Sequence, residues 1–419
     1  MSGKAKKLPL PLSQMPTWKN KVKIVLGITG GIAAYKAPEL VRTFVKSGCE
    51  VEVVLTEDGE KFVSPMVLST LAGRRIWRQR DFLSDEYGWR IPHISLADWA
   101  DVVVVAPCTA ETLANTVQGR GKELLGSLLL ATRAQVLLCP AMNVNMLSNP
   151  ATAENIRTLK NRGYAVVDPD SGDLACGYEG KGRLPSPDVL LEEMWRVACP
   201  KKELQRKNVL VTAGPTWEFL DPVRFLSNPS TGKMGVAVAR AAWYRGASVT
   251  LVLGPVSLTN LSGFEVVRVV SAEEMKEAVL SRSGEMEYIV KAAAVGDYRP
   301  ASYAGEKIKR SGSDTLRIDL IQNTDIAAAL GQRKRPGQVL IGFAAESHDL
   351  QKNASEKIRK KNLDFIVAND ITAPAAGFGA DTNTVRILSA DGSVSEFAGT
   401  KEDVAEEIWN TVLADKQLS

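Results

Sequence analysis

The sequence predicts an α/β protein built from two doubly wound domains, each with a mainly parallel sheet. Short continuous apolar runs alternate with amphipathic segments of helical period, which is typical of parallel strands covered by helices on both faces. A charged segment near residue 200 interrupts this alternation, which then restarts. The chain has 419 residues, and that length suits two or three domains of roughly 100–200 residues each better than a single core.

The first strand–helix–strand unit follows directly after Lys21. Residues 22–29 read VKIVLGIT, an apolar strand running into glycine-rich sequence, and residues 51–56 read VEVVLT. The segment between them has the apolar spacing of one helix face, at Leu40, Val41, Phe44 and Val45. The alternation continues with strands at 101–107, 136–140 and 164–168 and helices at 110–132 and 150–161. The first half therefore predicts a parallel sheet.

Domain boundaries follow from composition. Residues 199–207, CPKKELQRK, are interpreted as a linker between a first domain at 20–198 and a second at 208–419, and residues 1–19 as a disordered basic tail. The second domain repeats the pattern, with strands at 248–254, 288–295, 338–346 and 365–370 and helices at 233–245, 351–361 and 401–414. Residues 384–398 predict a hairpin turning at Asp391 and Gly392. Residues 298–321 lack periodicity and predict a mobile loop.

Composition excludes several classes of protein. The 52 basic and 48 acidic residues give a net charge of +4 without a basic stripe, so nucleic acid is not an expected partner. The longest apolar runs are far shorter than the ~20 residues that a transmembrane helix needs. The chain has five cysteines, an odd number, and no two of them have the CxxC spacing. This pattern disfavours a disulfide framework and a zinc site. We expect a cytoplasmic protein.

Two glycine-rich segments could contact anions. GITGGIAAYK, at 27–36, places glycines between a strand and a helix, where backbone N–H groups can approach a phosphate; a plain tight turn is the alternative. Its spacing is not G-x-G-x-x-G, which argues against a nicotinamide dehydrogenase. STGKMG, at 230–235, is not a Walker A loop, because Ser227 stands at the first glycine position and Met234 follows the lysine.

Three side chains are candidates for chemistry. His93 is one of only two histidines and follows a proline in a predicted loop, which suits a general base, although a surface histidine without a function is also compatible. Cys176 lies in a glycine-rich segment near Lys181 and Arg183, where a thiol can act as an acid or nucleophile. Asn143 follows a predicted strand, either as a ligand-binding amide or as a turn former.

Taken together, the motifs resemble a known family. GITGGIAAYK, LTEDGEKFVSP, HISLADWAD, APCTAET, PAMN and ACGYEGKGRL resemble flavin-containing cysteine decarboxylases. NVLVTAGPTWEFLDPVRFLSNPSTGKMG, AAAVGDYRP, EKIKR, GFAAES, KKNLDFIVAND and FGADTN resemble phosphopantothenate–cysteine ligases. Over residues 20–415 the order of these motifs is similar to that in the bifunctional family of coenzyme A biosynthesis, in which the decarboxylase and the ligase are fused in one chain. The resemblance implies a flavodoxin-like flavoprotein domain followed by a Rossmann-like ligase domain.

For the first domain, the resemblance implies FMN-dependent decarboxylation of 4′-phosphopantothenoylcysteine. The implied FMN-binding residues are Gly30, Gly31, Ile32, Thr56, Thr109, Ala110, Glu111, Thr112 and Ala141. His93 would be the base, Asn143 would hold the departing carboxylate, and Cys176 would protonate the product carbon. Glu111 and Lys122 depart from the family pattern, and because a carboxylate repels a phosphate, Glu111 is expected to point away from it.

For the second domain, the resemblance implies ligation of 4′-phosphopantothenate to cysteine through an acyl-cytidylate, with CTP and Mg²⁺. Asn228 and the backbone of Ala292, Ala293 and Ala294 would bind the intermediate. The nucleotide would contact Asp297, Thr324, Asp325, Ile326, Ala327 and Phe343. Phosphate charge would be offset by Lys307, Lys357 and Lys361; a solvated basic helix face is the alternative for the last two. Metal ligands are not assigned, and Lys291 is an unexplained departure.

The resemblance also implies a homo-oligomer that acts on small molecules. A flavin-binding regulatory protein of the same fold without catalysis is the alternative. It is disfavoured because His93, Asn143 and Cys176 are all present.

Overall fold

The computed structural model describes residues 21–173, 177, 179–258, 261–309, 315–346, 350–370 and 380–418. The chain divides between Cys199 and Pro200 into two compact units. Both are α/β, and each contains a sheet that is wholly or mostly parallel. The predicted fold class is therefore confirmed.

The first unit alternates strands and helices along the chain. Its strands are β1 (Lys23–Ile28), β2 (Glu50–Leu55), β3 (Ile76–Arg78), β4 (Val102–Cys108), β5 (Gln135–Pro140), β6 (Ala165–Val166), β7 (Asp170–Asp173) and β8 (Glu179–Arg183). Its α-helices are α1 (Ala37–Lys46), α2 (Pro65–Ala72), α3 (Pro92–Trp99), α4 (Ala110–Gln118), α5 (Leu124–Ala131), α6 (Val144–Ser148), α7 (Pro150–Asn161) and α8 (Pro187–Ala198). Single 3-10 turns occupy Ile32–Lys36, Gly59–Lys61, Gln79–Asp81 and Gly88–Arg90.

The central sheet of this unit has the order β3-β2-β1-β4-β5-β6, and its strand pairs are parallel. This is the order of the dinucleotide-binding sheet, which differs from the 2-1-3-4-5 order of flavodoxin although both are doubly wound. All seven residues of β4 are buried because helices cover both faces of the sheet. The strand order changes direction between β1 and β4, where doubly wound sheets bind ligands beyond the carboxyl ends of the strands.

Two features of this unit differ from the sequence prediction. The predicted helix at 110–132 is two helices, because α4 ends at Gly119, which adopts the left-handed conformation with φ of 66°. His93 lies in the first turn of α3 and not in a loop. Pro92 begins that helix, at the position where the missing N–H and the restricted φ of proline are favourable.

The second unit also alternates strands and helices. Its strands are β9 (Asn208–Ala213), β10 (Glu218–Phe219), β11 (Phe225–Leu226), β12 (Ser248–Leu253), β13 (Phe264–Arg268), β14 (Tyr288–Lys291), β15 (Tyr298–Pro300), β16 (Leu320–Gln322), β17 (Val339–Glu346), β18 (Phe365–Asp370), β19 (Thr382–Ser389) and β20 (Val394–Thr400). Its helices are α9 (Lys233–Tyr244), α10 (Ala272–Arg282), α11 (Ile326–Arg333), α12 (Leu350–Lys361) and α13 (Lys401–Leu418), with a 3-10 turn at Ser283–Glu285.

The main sheet of the second unit has the order β13-β12-β9-β14-β17-β18-β19-β20. Its pairs are parallel from β13 to β18, and the last two pairs are antiparallel. The predicted hairpin is confirmed as β19 and β20, and Gly392 adopts a φ of 95° in its turn. Within the predicted loop at 298–321, β15 pairs with β16 in an antiparallel ribbon, although residues 310–314 lie outside the described part.

Apolar side chains from strands and helices form a separate core in each unit. The first core includes Val25, Val103, Leu113, Leu128 and Leu138. The second includes Leu210, Met275, Ile289, Leu340 and Ile366. No helix in the described ranges is both long enough and apolar enough to cross a bilayer.

Candidate active sites

Four strand ends of the first unit carry predicted site residues. The glycine segment follows β1, Thr56 follows β2, Thr109 follows β4, and Ala141 follows β5. Because these strands are parallel neighbours, their carboxyl ends meet along one edge of the sheet. The Ala141 amide donates to the carbonyl of Cys108 at 3.2 Å, which ties the ends of β4 and β5 together.

Hydrogen bonds join the glycine segment to the start of α4. The Thr29 hydroxyl donates to the Pro107 carbonyl at 2.7 Å and accepts from the Thr109 amide at 3.2 Å. The Thr109 side chain caps α4 by accepting from the Thr112 amide at 3.2 Å. A Cβ atom on Gly31 would lie 3.8 Å from the Thr109 methyl group. Gly31, Thr109 and Thr112 are therefore brought together at a helix N-terminus, which suits an anionic ligand.

Gly30 lies so close to Asp58 that the position has no space for a side chain. A Cβ atom on this residue would lie 2.3 Å from the Cβ of Asp58 and 3.0 Å from its carbonyl carbon. Only glycine fits without moving the segment that follows β2. Ile32, immediately beyond the two glycines, exposes 58% of its side chain and offers an apolar surface at this edge.

A cavity of about 260 Å³ lies beside this edge. Thr56, Glu111 and Thr112 line it. The expected orientation of Glu111 away from a bound phosphate stays a prediction. The Glu111 carboxylate accepts from the Asn115 amide at 3.0 Å. Arg120 and Lys122 also line the cavity and supply positive charge beside that carboxylate. The sequence analysis did not assign either residue to a ligand.

The three predicted catalytic residues of this unit are placed differently from one another. The Nδ1 atom of His93 is buried and has no hydrogen-bond partner among the described residues, and the Phe82 ring packs edge-on against the imidazole at 5.3 Å between ring centroids. Asn143 caps α6, where its side chain accepts from the Asn145 amide at 2.8 Å. Neither residue lines the 260 Å³ cavity. Cys176 lies outside the described residues, between β7 and β8.

The other four cysteines, Cys49, Cys108, Cys139 and Cys199, are buried, and they form no disulfide bond within the described ranges. Burial raises the pKa of the Cys49 thiol to about 12 and also raises the pKa values of Cys108 and Cys139. Thiols with raised pKa values are poor nucleophiles and metal ligands at neutral pH. Cys49, Cys108 and Cys139 are therefore poorly suited to such chemistry, and the role of Cys176 stays a prediction.

A larger cavity, of about 540 Å³, lies at the carboxyl ends of β14 and β17 in the second unit. It brings together nearly all the residues predicted for the ligase site: Asn228, Ala292, Ala293, Ala294, Asp297, Thr324, Asp325, Ile326, Ala327, Phe343, Lys357 and Lys361. Lys307 is the exception. It is exposed and does not line the cavity, and the neighbouring Ile308 amide donates to Asp221 at 3.1 Å.

Hydrogen bonds to the end of β9 and the segment beyond it hold the loop that follows β14. The Ala293 amide donates to the Thr212 hydroxyl at 3.1 Å, and the Gly296 amide donates to the Thr216 hydroxyl at 3.0 Å. The Asn228 side-chain amide donates to the carbonyls of Ala294 and Val295, at 3.3 and 3.2 Å. Asn228 and the alanine backbone therefore form one connected wall of the cavity.

Two further lining residues of this cavity form an ion pair. The Lys361 ammonium lies 2.8 Å from the carboxylate of Asp325, which also caps α11 by accepting from the Ala328 amide at 3.0 Å. Burial alone would raise the pKa of Asp325, but the Lys361 ammonium and the amide donors hold that pKa below its usual value. The carboxylate therefore stays ionised and fixes the position of Lys361.

Three further lysines line this cavity, at the start of α9 (Lys233), the end of β14 (Lys291) and the start of α13 (Lys401). With Lys357 and Lys361 they make five lysines against two aspartates, a balance that suits a polyanion. Neither Lys233, which lies within the quoted STGKMG segment, nor Lys401 was predicted to line this site. The STGKMG segment, rejected as a Walker A loop, nevertheless contributes Ser230, Thr231 and Gly232 to the cavity wall.

Comparison with known proteins assigns the chain to a family. The flavoprotein family matches residues 12–198, and the family of the DNA/pantothenate metabolism flavoprotein C-terminal domain matches residues 204–415. The coenzyme A biosynthesis bifunctional protein CoaBC of Bacillus subtilis (strain 168) is 42% identical over 399 residues, 94% of this chain and 97% of the relative. The chain belongs to the family of bifunctional coenzyme A biosynthesis proteins.

Other members of this bifunctional family show the same extent of similarity. The CoaBC protein of Escherichia coli (strain K12) is 41% identical over 372 residues, 88% of this chain and 91% of the relative. Among solved structures, the C-terminal domain of a CoaBC protein is 39% identical, covers 52% of this chain and 100% of that chain, and has a TM-score of 0.45. The two family matches and the identities to CoaBC proteins over most of their length confirm the resemblance identified from the motifs.

Proposed function

We propose that the chain catalyses two consecutive steps of coenzyme A biosynthesis. Residues 208–419 would join 4′-phosphopantothenate to cysteine at the expense of CTP. Residues 20–198, connected through the 199–207 linker, would convert 4′-phosphopantothenoylcysteine to 4′-phosphopantetheine with FMN. The strongest support is the 42% identity, extending over 94% of the chain, to a protein named as a bifunctional protein of coenzyme A biosynthesis. A cytoplasmic homo-oligomer is part of the proposal.

The ligation is proposed to proceed in two balanced steps. The carboxylate of phosphopantothenate attacks the α-phosphorus of CTP and displaces pyrophosphate; the amine of cysteine then attacks the acyl carbon, loses a proton and displaces CMP. Lys357 and Lys361 would offset the charge of the phosphates. Asn228 and the backbone beside it would position the acyl-cytidylate.

Magnesium fits this site only together with its nucleotide. No cluster of three or more metal-ligating side chains occurs within the described ranges. The cavity offers Asp297 and Asp325, and Asp325 is already paired with Lys361. Mg²⁺ commonly binds through substrate phosphates and one or two carboxylates, which agrees with this limited donor set.

The first unit has residues that fit FMN. Gly30 lets the glycine segment lie against Asp58, and Gly31 leaves space beside its backbone. Thr109 and Thr112 present hydroxyls at the start of α4, and Arg120 supplies positive charge in the adjacent cavity. When bound, FMN supplies reversible two-electron oxidation, which makes loss of CO₂ from the cysteine moiety feasible.

The protein's own groups would handle protons and the departing carboxylate in that reaction. His93 would accept a proton from the substrate, since an imidazole is ionisable near neutral pH. The Asn143 amide would hold the carboxylate that is lost as CO₂. Cys176 would donate a proton to the product carbon.

The decisive experiment supplies 4′-phosphopantothenate, cysteine, CTP and Mg²⁺ to the purified full-length protein. We expect phosphopantetheine to appear together with pyrophosphate, CMP and CO₂. A flavin-binding regulatory protein would instead release neither pyrophosphate nor CO₂. Release of pyrophosphate without CO₂ would support the ligase activity and reject the decarboxylase activity. Release of CO₂ only when phosphopantothenoylcysteine is added would support the decarboxylase activity and reject the ligase activity.

Paired variants separate the two sites. His93→Asn should abolish CO₂ release and leave pyrophosphate release intact. Asn228→Asp should impair ligation, because it places a carboxylate near an anionic intermediate, and leave decarboxylation of supplied substrate unchanged. Equal loss of both activities in either variant would reject the assignment to separate sites.

Lys307 is tested by a third variant. Lys307→Gln should strongly lower pyrophosphate release, since charge-assisted contacts contribute about 1.5–3 kcal/mol. Wild-type pyrophosphate release would show that this exposed lysine is a solvated surface charge. Decarboxylation of supplied substrate serves as the internal control.

A further inference from the structure

Lys291 has an unusual environment for a lysine. It is the last residue of β14, lines the 540 Å³ cavity, and exposes only 9% of its surface. Its Nζ atom is buried and has no hydrogen-bond partner in the part of the chain that the structure describes. A buried ammonium without a partner is costly, so either the group gives up its proton or a ligand supplies the missing acceptor.

Other lysines of the cavity have acceptors within the protein. Lys361 is paired with Asp325 at 2.8 Å, and Lys233 with Asp381 at 2.7 Å. The Lys401 ammonium donates to the Ala380 carbonyl. Lys291 differs from these three because its ammonium has no such acceptor among the described residues.

The surrounding charges determine the protonation of Lys291. The charged residues that line the cavity with it are Lys233, Asp297, Asp325, Lys357, Lys361 and Lys401. Burial lowers the pKa of Lys291 to about 7; the Asp325 carboxylate opposes this shift and the Lys361 ammonium adds to it. Much of the population is therefore a neutral amine above neutral pH.

We propose that Lys291 binds a phosphoryl oxygen of the substrate and takes up a proton as that anion enters the cavity. This inference rests on the proposed ligase function and adds a residue to it. Five lysines against two aspartates favour an anionic ligand, and the adjoining Ala292–Ala294 backbone lies on the same cavity wall. A phosphoryl oxygen would provide the acceptor that Nζ lacks, through a charge-assisted hydrogen bond. The phosphate could belong to the nucleotide or to phosphopantothenate.

The number of protons taken up on binding can be predicted. With a pKa of about 7 in the free protein, roughly one tenth of Lys291 is charged at pH 8. An anion in contact raises a lysine pKa by about two units, which makes about nine tenths of it charged. Binding should therefore take up about 0.8 proton per site at pH 8. A phosphate monoester, with its second pKa near 6, is already ionised at that pH and contributes little.

The test is isothermal titration calorimetry at pH 8 in two buffers of different ionisation enthalpy. CTP with Mg²⁺ and 4′-phosphopantothenate are titrated separately into full-length protein, and the difference in observed enthalpy gives the protons taken up. Lys291→Met keeps a side chain of similar length without the amine. It should take up at least 0.5 proton fewer and bind the relevant ligand at least tenfold more weakly. Lys207→Met, at an exposed position of the same unit, is the matched control.

Lys291→Arg provides a second comparison, because a guanidinium remains charged at pH 8 and should bind without proton uptake. Uptake with only one ligand identifies the phosphate that Lys291 contacts. Wild-type binding without uptake, or equal uptake by wild type and Lys291→Met, would overturn the inference while leaving the ligase function standing. If wild type binds neither ligand and forms no pyrophosphate, the ligase function and the inference both fail. Wild-type binding without proton uptake overturns the inference even if the variants do not fold, whereas support for it requires the loss of uptake in Lys291→Met.

Discussion

Gly331 in α11 allows a close approach between two helices that form the ligase cavity. A Cβ atom at this position would lie 2.0 Å from the carbonyl oxygen of Lys361 and 2.8 Å from its carbonyl carbon. Lys361 ends α12 and pairs with Asp325, which caps α11. We therefore expect Gly331→Ala to push the end of α12 away from α11 and to disturb this ion pair.

The size of the effect follows from the distances. The added methyl group would be 1.4 Å short of the 3.4 Å at which ordinary contact begins. The atom it meets belongs to the backbone, so a change of side-chain rotamer cannot relieve the clash. Overpacking costs about 1–3 kcal/mol, and Ala recovers up to about 1 kcal/mol of helix propensity over Gly. Taking the upper end for a backbone clash, we expect a net loss of about 2 kcal/mol, roughly a 30-fold change in an equilibrium constant.

Hydrogen–deuterium exchange of the full-length protein measures this loss locally. Amides of α11 and of the described end of α12 should exchange roughly 30-fold faster in Gly331→Ala than in wild type, because local opening becomes easier. Gly284→Ala is the matched control, since a Cβ there meets nothing within 4 Å. Exchange in Gly331→Ala within twofold of both wild type and this control would refute the clash.

Three further predictions concern single contacts. Gly30→Ala, whose Cβ would clash with Asp58, should lower the flavin content per chain, measured by absorption near ~450 nm; full flavin content would contradict the proposed close approach. Thr109→Val removes the side-chain cap of α4 and should cost about 1 kcal/mol in urea unfolding, whereas Thr109→Ser should recover most of it; equal stability of the two variants would exclude the capping role. Lys361→Met should raise the pKa of Asp325, observed by carboxyl ¹³C titration. A carboxyl group whose pKa is lower in the folded than in the unfolded state stabilises the fold at pH values above the unfolded-state pKa, and this stability is lost as pH falls through the folded-state pKa. The variant should therefore lose less stability on acidification than wild type. An unchanged Asp325 titration would argue against the ion pair.

Elements whose residues are uniformly buried or strictly periodic were predictable from the sequence. The apolar run at 101–107 corresponds to β4, and the helix predicted at 150–161 has the bounds of α7. The hairpin of β19 and β20 was indicated by alternation on both sides of Asp391 and Gly392. Burial on both faces of a parallel sheet, or on one face of a helix, leaves a local pattern in the chain.

The errors occurred where a single residue, or a partner distant in sequence, decided the structure. Gly119 ends α4 inside a segment that otherwise favours helix. His93 was assigned to a loop, although Pro92 is well suited to begin a helix. The ribbon of β15 and β16 has no strong period of its own, because exposed residues make up much of these two short strands.

The sequence by itself determined the two α/β units and the family, through local apolar patterns and motifs in a fixed order. Tertiary structure alone decided which charges meet. Lys233, Lys291 and Lys401 come from three elements separated by more than 50 residues, yet they line one cavity. No spacing in the chain indicates such a meeting, because it depends on strand order and on how the helices pack. Tertiary structure also decided that Lys291 is buried with no acceptor in the part of the chain that the structure describes, and the loss of solvent around its ammonium is what lowers its pKa.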